Sequence, residues 1–180
     1  GGKVGLMGTI ADAVLESGGN VFGVIPEYLK EKEIEHTGLT ELFVVADMHE
    51  RKAKMASMAD AFVALPGGAG TLEEFFEVWT WAQLGHHSKP CALYNTNGFY
   101  QNLLAMITNM TNSGFLNEEY ANMLILADTP KELVDCIYYY SPSLGIVGPF
   151  LDTGTAEIHF MPNDQLFFHA ADSTLRLSDK

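Results

Sequence analysis

The sequence predicts a doubly wound α/β domain, a parallel sheet covered by helices on both faces. Three observations carry this. Short apolar runs alternate along the chain with segments of helical periodicity. The runs are continuously apolar rather than alternating, the pattern of strands buried on both faces. Turn and cap residues separate the segments at short intervals.

Leu6, Ile10, Val14 and Leu15 share one face of a helix over 6–17, which Gly18-Gly19-Asn20 ends. Val21-Phe22-Gly23-Val24-Ile25, closed by Pro26, reads as a buried strand. Residues 27–40 are polar and charged and read as a loop. Leu42-Phe43-Val44-Val45 is the next strand, 47–58 a helix and 61–65 a third strand. Pro66-Gly67-Gly68-Ala69-Gly70 is a tight loop before a long helix over 71–84. Cys91-Ala92-Leu93-Tyr94 is a strand, 99–112 and 118–123 are helical, and Leu124-Ile125-Leu126 is a short strand. Pro130 opens a last helix, to residue 140, at an allowed first-turn position.

After Ser141 the texture changes. Residues 142–156 are rich in Gly, Pro and Thr and read as linker. Segments 157–161 and 165–170 are placed to pair as a hairpin across Pro162-Asn163-Asp164. The expected organisation is one α/β domain over 1–141 and an extension of unassigned role over 142–180.

Composition excludes several classes. The 180 residues fit one domain, and 47% hydrophobic against 18% charged residues supply a core that a disordered chain lacks. Ten Lys plus Arg against 23 Asp plus Glu give a formal charge of -13, which repels nucleic-acid phosphate. The apolar runs fall far short of the roughly 18 residues a membrane span needs. Cys91 and Cys136 cannot form a disulfide framework, so a reducing cytoplasmic setting is expected. The chain opens with Gly1-Gly2-Lys3-Val4, without an initiator Met or a signal-peptide pattern. Two glycines there read as mid-loop, so an N-terminal part of the domain is expected to be missing.

The strongest chemical signal is Pro66-Gly67-Gly68-Ala69-Gly70-Thr71-Leu72-Glu73-Glu74, between a buried strand and a helix. Glycines let backbone N–H groups approach an anion, and a helix start adds partial positive charge. No Gly-Lys-Ser/Thr follows, so this is not a Walker loop. A purely structural reading competes, because Thr71 and Glu74 have capping-box spacing. Three glycines in four positions favour the phosphate cradle.

A second signal is Asp47-Met48-His49-Glu50-Arg51-Lys52, at the preceding helix start. Asp47 and Glu50 also have capping-box spacing. Arg51 and Lys52 there oppose the macrodipole by about 0.3–1 kcal/mol each. Either an anionic ligand or pairing with Asp47 and Glu50 answers that. A third and weaker signal is another glycine loop at the same sheet edge, Gly2-Lys3-Val4-Gly5-Leu6-Met7-Gly8, which helix packing could also explain.

Taken together, Gly5-Leu6-Met7-Gly8, Met48-His49-Glu50-Arg51-Lys52 and the 66–74 segment resemble the signature of the Lonely-guy family of cytokinin-activating phosphoribohydrolases. Gly23-Val24-Ile25-Pro26 and Thr80-Trp81-Ala82-Gln83-Leu84-Gly85 fit the same family. The resemblance runs to about Tyr140. It implies a Rossmann-like fold that lacks its first strand-helix-strand segment here. It also implies a homodimer that hydrolyses N6-substituted adenosine 5′-monophosphates to free base and ribose 5-phosphate. Neither metal nor organic cofactor is implied. By motif, Arg51 and Glu74 match the catalytic pair. Lys52, the 68–73 loop (Gly68, Ala69, Gly70, Thr71, Leu72, Glu73), Thr80 and Glu33 match substrate-contacting positions, and Gly67 joins them as part of the same cradle.

The residue chemistry agrees. Breaking an N-glycosidic bond builds positive charge on the ribose, which a carboxylate stabilises while activating water. Arg51 offers fixed charge and planar donors for phosphate and ribose oxygens. A non-catalytic nucleotide-binding module of the same fold would need neither residue. A pyridoxal-phosphate decarboxylase would need a Schiff-base lysine, for which Lys89 is the nearest candidate. His86-His87 lack companions at metal-ligand spacing. On the 71–84 helix, Leu72, Phe75, Phe76 and Trp79 form a core face. Val78 and Trp81 lie on a second apolar face, expected at a dimer interface.

Overall fold

The computed structural model describes residues 2–30, 35–141 and 166–169. Helices and strands alternate as α1 (Gly5–Glu16), β1 (Phe22–Pro26), α2 (Glu27–Lys30), β2 (Glu41–Val45), α3 (Met48–Met58), β3 (Ala61–Ala64) and α4 (Ala69–Gln83). There follow β4 (Cys91–Tyr94), α5 (Gln101–Asn112), α6 (Glu118–Ala121), β5 (Leu124–Ala127), α7 (Pro130–Tyr138) and β6 (Leu166–His169). All the pairings between these strands are parallel.

Side-chain alternation along the strands produces the doubly wound arrangement. Ala64, Cys91, Leu93 and Leu124 point to one face, where Phe75 and Trp79 of α4 and Ile107 of α5 cover them. Val63, Ala92, Ile125 and Ala127 point to the other, under Leu133 of α7 and Leu6 and Ile10 of α1. The central strands β3 and β4 are apolar throughout because both faces are buried. Trp79 is 2% exposed and still satisfies its indole N–H, which donates to the Tyr120 carbonyl at 3.0 Å.

Two expectations need correction. The strands form two groups, a β1-β2 pair and a sheet ordered β5-β4-β3-β6, rather than one continuous sheet. The edge of β3 must satisfy its backbone groups, and β6 does so. The 166–169 arm of the expected hairpin thus forms a strand of this sheet, while its other arm at 157–161 and the 142–156 linker lie outside the described residues. The 27–40 loop contains one helical turn, α2, with Glu27 first and Lys30 last, a charge order that suits the helix dipole.

Helix starts follow their caps. Asp47 Oδ1 accepts the Glu50 N–H at 2.9 Å, and Thr129 Oγ1 accepts the Glu132 N–H at 3.2 Å. Among the described residues no helix is long and apolar enough to cross a membrane.

Candidate active site

The glycine loop leaves the carboxyl end of β3, the edge of a parallel sheet where ligands bind. Here the structure corrects the capping box. Gly68, with extended backbone, is the N-cap of α4 and supplies no side-chain cap. Thr71 is the third helical residue and Glu74 the sixth, so neither caps. The N–H groups of the first turn, at Ala69, Gly70 and Thr71, have no acceptor within their own helix and carry the positive end of its dipole. Gly67 is required by a close approach. A Cβ there would lie 2.1 Å from Thr71 Oγ1, and Thr71 is fully buried.

Helix α3 supplies the cations. Glu50 is occupied in capping, since its Oε2 accepts the Ala46 N–H at 2.7 Å. Arg51 and Lys52 reach across to α4 instead. Arg51 Nη1 lies 3.5 Å from Glu74 Oε1, with both side chains about nine-tenths buried. Lys52 Nζ bridges Glu73 Oε1 at 2.8 Å and Glu77 Oε2 at 2.9 Å. The hydrogen bond that Lys52 donates to Glu73 raises its pKa above the ordinary value, despite burial that opposes it. Arg51 Nε is buried and has no hydrogen-bond partner among the described residues, an unused donor on the side chain that meets Glu74. A cavity of about 50 Å³ opens between α3, α4 and β3, lined by Lys52, Thr71, Glu74, Glu77, Phe62 and Val78. That volume admits water.

The structure thus brings Arg51 to Glu74 and Lys52 to Glu73, with Thr71 on the same cavity and packed against Gly67, while Gly68, Ala69 and Gly70 form the start of the same helix, α4. Leu72 instead packs against the apolar core. Thr80 is exposed on α4, about 9 Å further along the axis than Glu74 at 1.5 Å per residue. Glu33 lies outside the described residues. Glu77 is the site residue that the sequence reading missed. Its signal was the spacing of Glu73 and Glu77, four apart on one helix face. Val78 joins the core rather than a separate outer face, while Trp81 is half-buried.

Other candidates resolve structurally. At Gly8 a Cβ would meet the Lys3 carbonyl oxygen at 1.8 Å, so chain packing accounts for that glycine. Lys89 precedes β4, at the amino edge of the sheet, and its Nζ donates to the Ala56 carbonyl at 2.8 Å. It therefore lies at the edge opposite the glycine loop. His87 binds the Val78 carbonyl through Nε2 at 2.9 Å and accepts the Lys89 N–H on Nδ1 at 3.1 Å. Among the described residues no cluster of three or more His, Cys, Asp or Glu is placed to hold a metal ion.

The sequence profile of the family described as "possible lysine decarboxylase" matches residues 7–137. The chain belongs to this family. It is 49% identical over 142 residues to a probable cytokinin riboside 5′-monophosphate phosphoribohydrolase of Oryza sativa subsp. japonica, covering 79% of this chain and 58% of the relative. A cytokinin riboside 5′-monophosphate phosphoribohydrolase of Arabidopsis thaliana is 49% identical over 142 residues, 79% of this chain and 66% of the relative. One from Rhodococcoides fascians is 55% identical over 127 residues, 70% of this chain and 64% of the relative. The chain therefore spans somewhat under two thirds of these relatives. The decarboxylase description of the family finds no support in the site. Lys52, the lysine at the site, is held between the Glu73 and Glu77 carboxylates rather than presented as a free amine for a Schiff base.

Proposed function

We propose that this chain hydrolyses the N-glycosidic bond of adenosine 5′-monophosphates, N6-substituted ones included, to free base and ribose 5-phosphate. The observation that carries this is the Arg51–Glu74 pair, 3.5 Å apart and buried beside a glycine loop at a helix start. Relatives that bear the corresponding name support the substrate class.

In this reading the 5′-phosphate sits on the first-turn amides of α4, and Arg51 holds phosphate or ribose oxygens through donors such as Nε. Glu74 lies beside C1′. As the C1′–N bond breaks, its electron pair leaves with the base and positive charge grows on the ribose. Glu74 stabilises that charge and orients a water, whose oxygen bonds to C1′. The net proton transfer runs from water to the departing base.

The same reading includes a homodimer through the outer surface of α4, around Trp81 and the exposed Leu84. It also includes a cytoplasmic setting, in keeping with two free cysteines. Light scattering at micromolar concentration tests the dimer. Purified protein incubated with AMP and with isoprenoid-substituted AMP, assayed for free base, tests the reaction. Nucleotide binding without base release would instead assign a binding module.

A further inference from the structure

A buried hydrogen-bond chain ties three strand ends to the start of the glycine loop. Asn95, just beyond β4 and 4% exposed, donates its backbone N–H to the Ala127 carbonyl of β5 at 2.8 Å. Its Nδ2 donates to Asp128 Oδ1 at 2.8 Å, which fixes the side-chain amide. Asn95 Oδ1 then accepts the Tyr100 N–H at 2.7 Å. Tyr100 is 2% exposed, and its hydroxyl donates to the Leu65 carbonyl, one residue past β3.

That carbonyl belongs to the peptide bond leading into Pro66. Pro66 has no N–H, and Gly67 and Gly68 have no side chains. These residues therefore offer few means of anchoring the loop between β3 and α4. Burial pushes the Tyr100 hydroxyl up to about 12, so it remains a donor across the physiological range. Its ring stands edge-on to Phe99 at 5.0 Å, a contact that holds the hydroxyl in direction.

We propose that Tyr100 is a positioning residue for the anion-binding loop, holding Leu65 so that the 67–71 amides are set for a phosphate. The proposal rests on reading that loop as the phosphate site.

The test titrates ribose 5-phosphate, which cannot turn over, and adenosine, which lacks the phosphate, into wild type and Tyr100→Phe. Removing one buried hydrogen bond should weaken ribose 5-phosphate about 3- to 10-fold and leave adenosine unchanged. Equal ribose 5-phosphate affinity in the folded variant overturns the proposal. So does parallel weakening of both ligands, which marks a merely structural role, or a wild type that does not bind ribose 5-phosphate. Should Tyr100→Phe fail to fold, Asp128→Ala loosens the same chain from its exposed end. It should shift ribose 5-phosphate alone, and no shift there is equally fatal. AMP hydrolysis by wild type is scored separately. A wild type that binds ribose 5-phosphate through Tyr100 yet leaves AMP intact would sink the hydrolase reading and keep this one.

Discussion

Lys52 of α3 and Glu77 of α4 form an ion pair at 2.9 Å, and Glu73 holds the same ammonium at 2.8 Å. Two cations, Arg51 and Lys52, thus face three carboxylates, Glu73, Glu74 and Glu77, beside the loop proposed to bind an anion. A phosphate has to compete for Lys52. Glu77→Gln removes one competitor while Glu73 remains. Nucleotide affinity should therefore rise about 2- to 5-fold, the scale of one partly screened charge pair. Stability should change by under about 1 kcal/mol. Calorimetric titration with ribose 5-phosphate and a melting curve check both. Weaker binding would mean that Glu77 orients Lys52 rather than competing for it.

The phosphate itself should be decisive for turnover. Charge-assisted hydrogen bonds contribute about 1.5–3 kcal/mol each, and the loop amides and Arg51 offer several. Adenosine should therefore show kcat/KM lower than AMP by about 10²-fold or more. Comparable values for the two would remove the phosphate from the 67–71 loop.

His87 gives a pH dependence with a definite sign. Its ring donates to the Val78 carbonyl of α4 and accepts the Lys89 N–H, a pattern only the neutral imidazole can make. Burial, and then the nearby positive charges of Lys89 and His86, lower its pKa below 6.5, although the Val78 bond opposes this. A group whose pKa is depressed on folding contributes stability above its unfolded pKa and loses it as pH falls towards the folded one. Wild type should lose stability below about pH 6.5. His87→Gln should lose less over the same interval. Urea denaturation at pH 7.5 and 5.5 measures the difference, and identical losses would remove His87 from the account.

Much of this was legible in the sequence because strands buried on both faces must be apolar throughout. Cys91 and Leu93 face one core and Ala92 the other, yet all read as one apolar run. Arg51 and Glu74 were legible from residue type and motif. Their contact was not, since it depends on how α3 and α4 pack. The competing capping-box reading rested on the spacing of Thr71 and Glu74, and fails because extended backbone at Gly68 starts the helix earlier. Glu77 escaped notice because its partner, Lys52, lies on another helix. The pairing of β6 with β3 joins residues over a hundred positions apart, beyond any local signal.

The sharpest test divides the labour between Glu74 and Arg51. With Gly68 as the N-cap, Glu74 has no capping role that Gln would need to preserve. Glu74→Gln keeps the shape of a largely buried side chain and removes its charge. If that charge stabilises the ribosyl cation or activates water, turnover should fall about 10²–10⁴-fold with ribose 5-phosphate still bound. Arg51→Lys keeps a charge opposite Glu74 but loses the planar fork, including the Nε that lacks a partner among the described residues. Both affinity and turnover should therefore fall in Arg51→Lys. Steady-state kinetics on AMP, with circular dichroism to confirm folding, separates the two variants. Near-normal hydrolysis by Glu74→Gln would leave the proposed mechanism without its carboxylate.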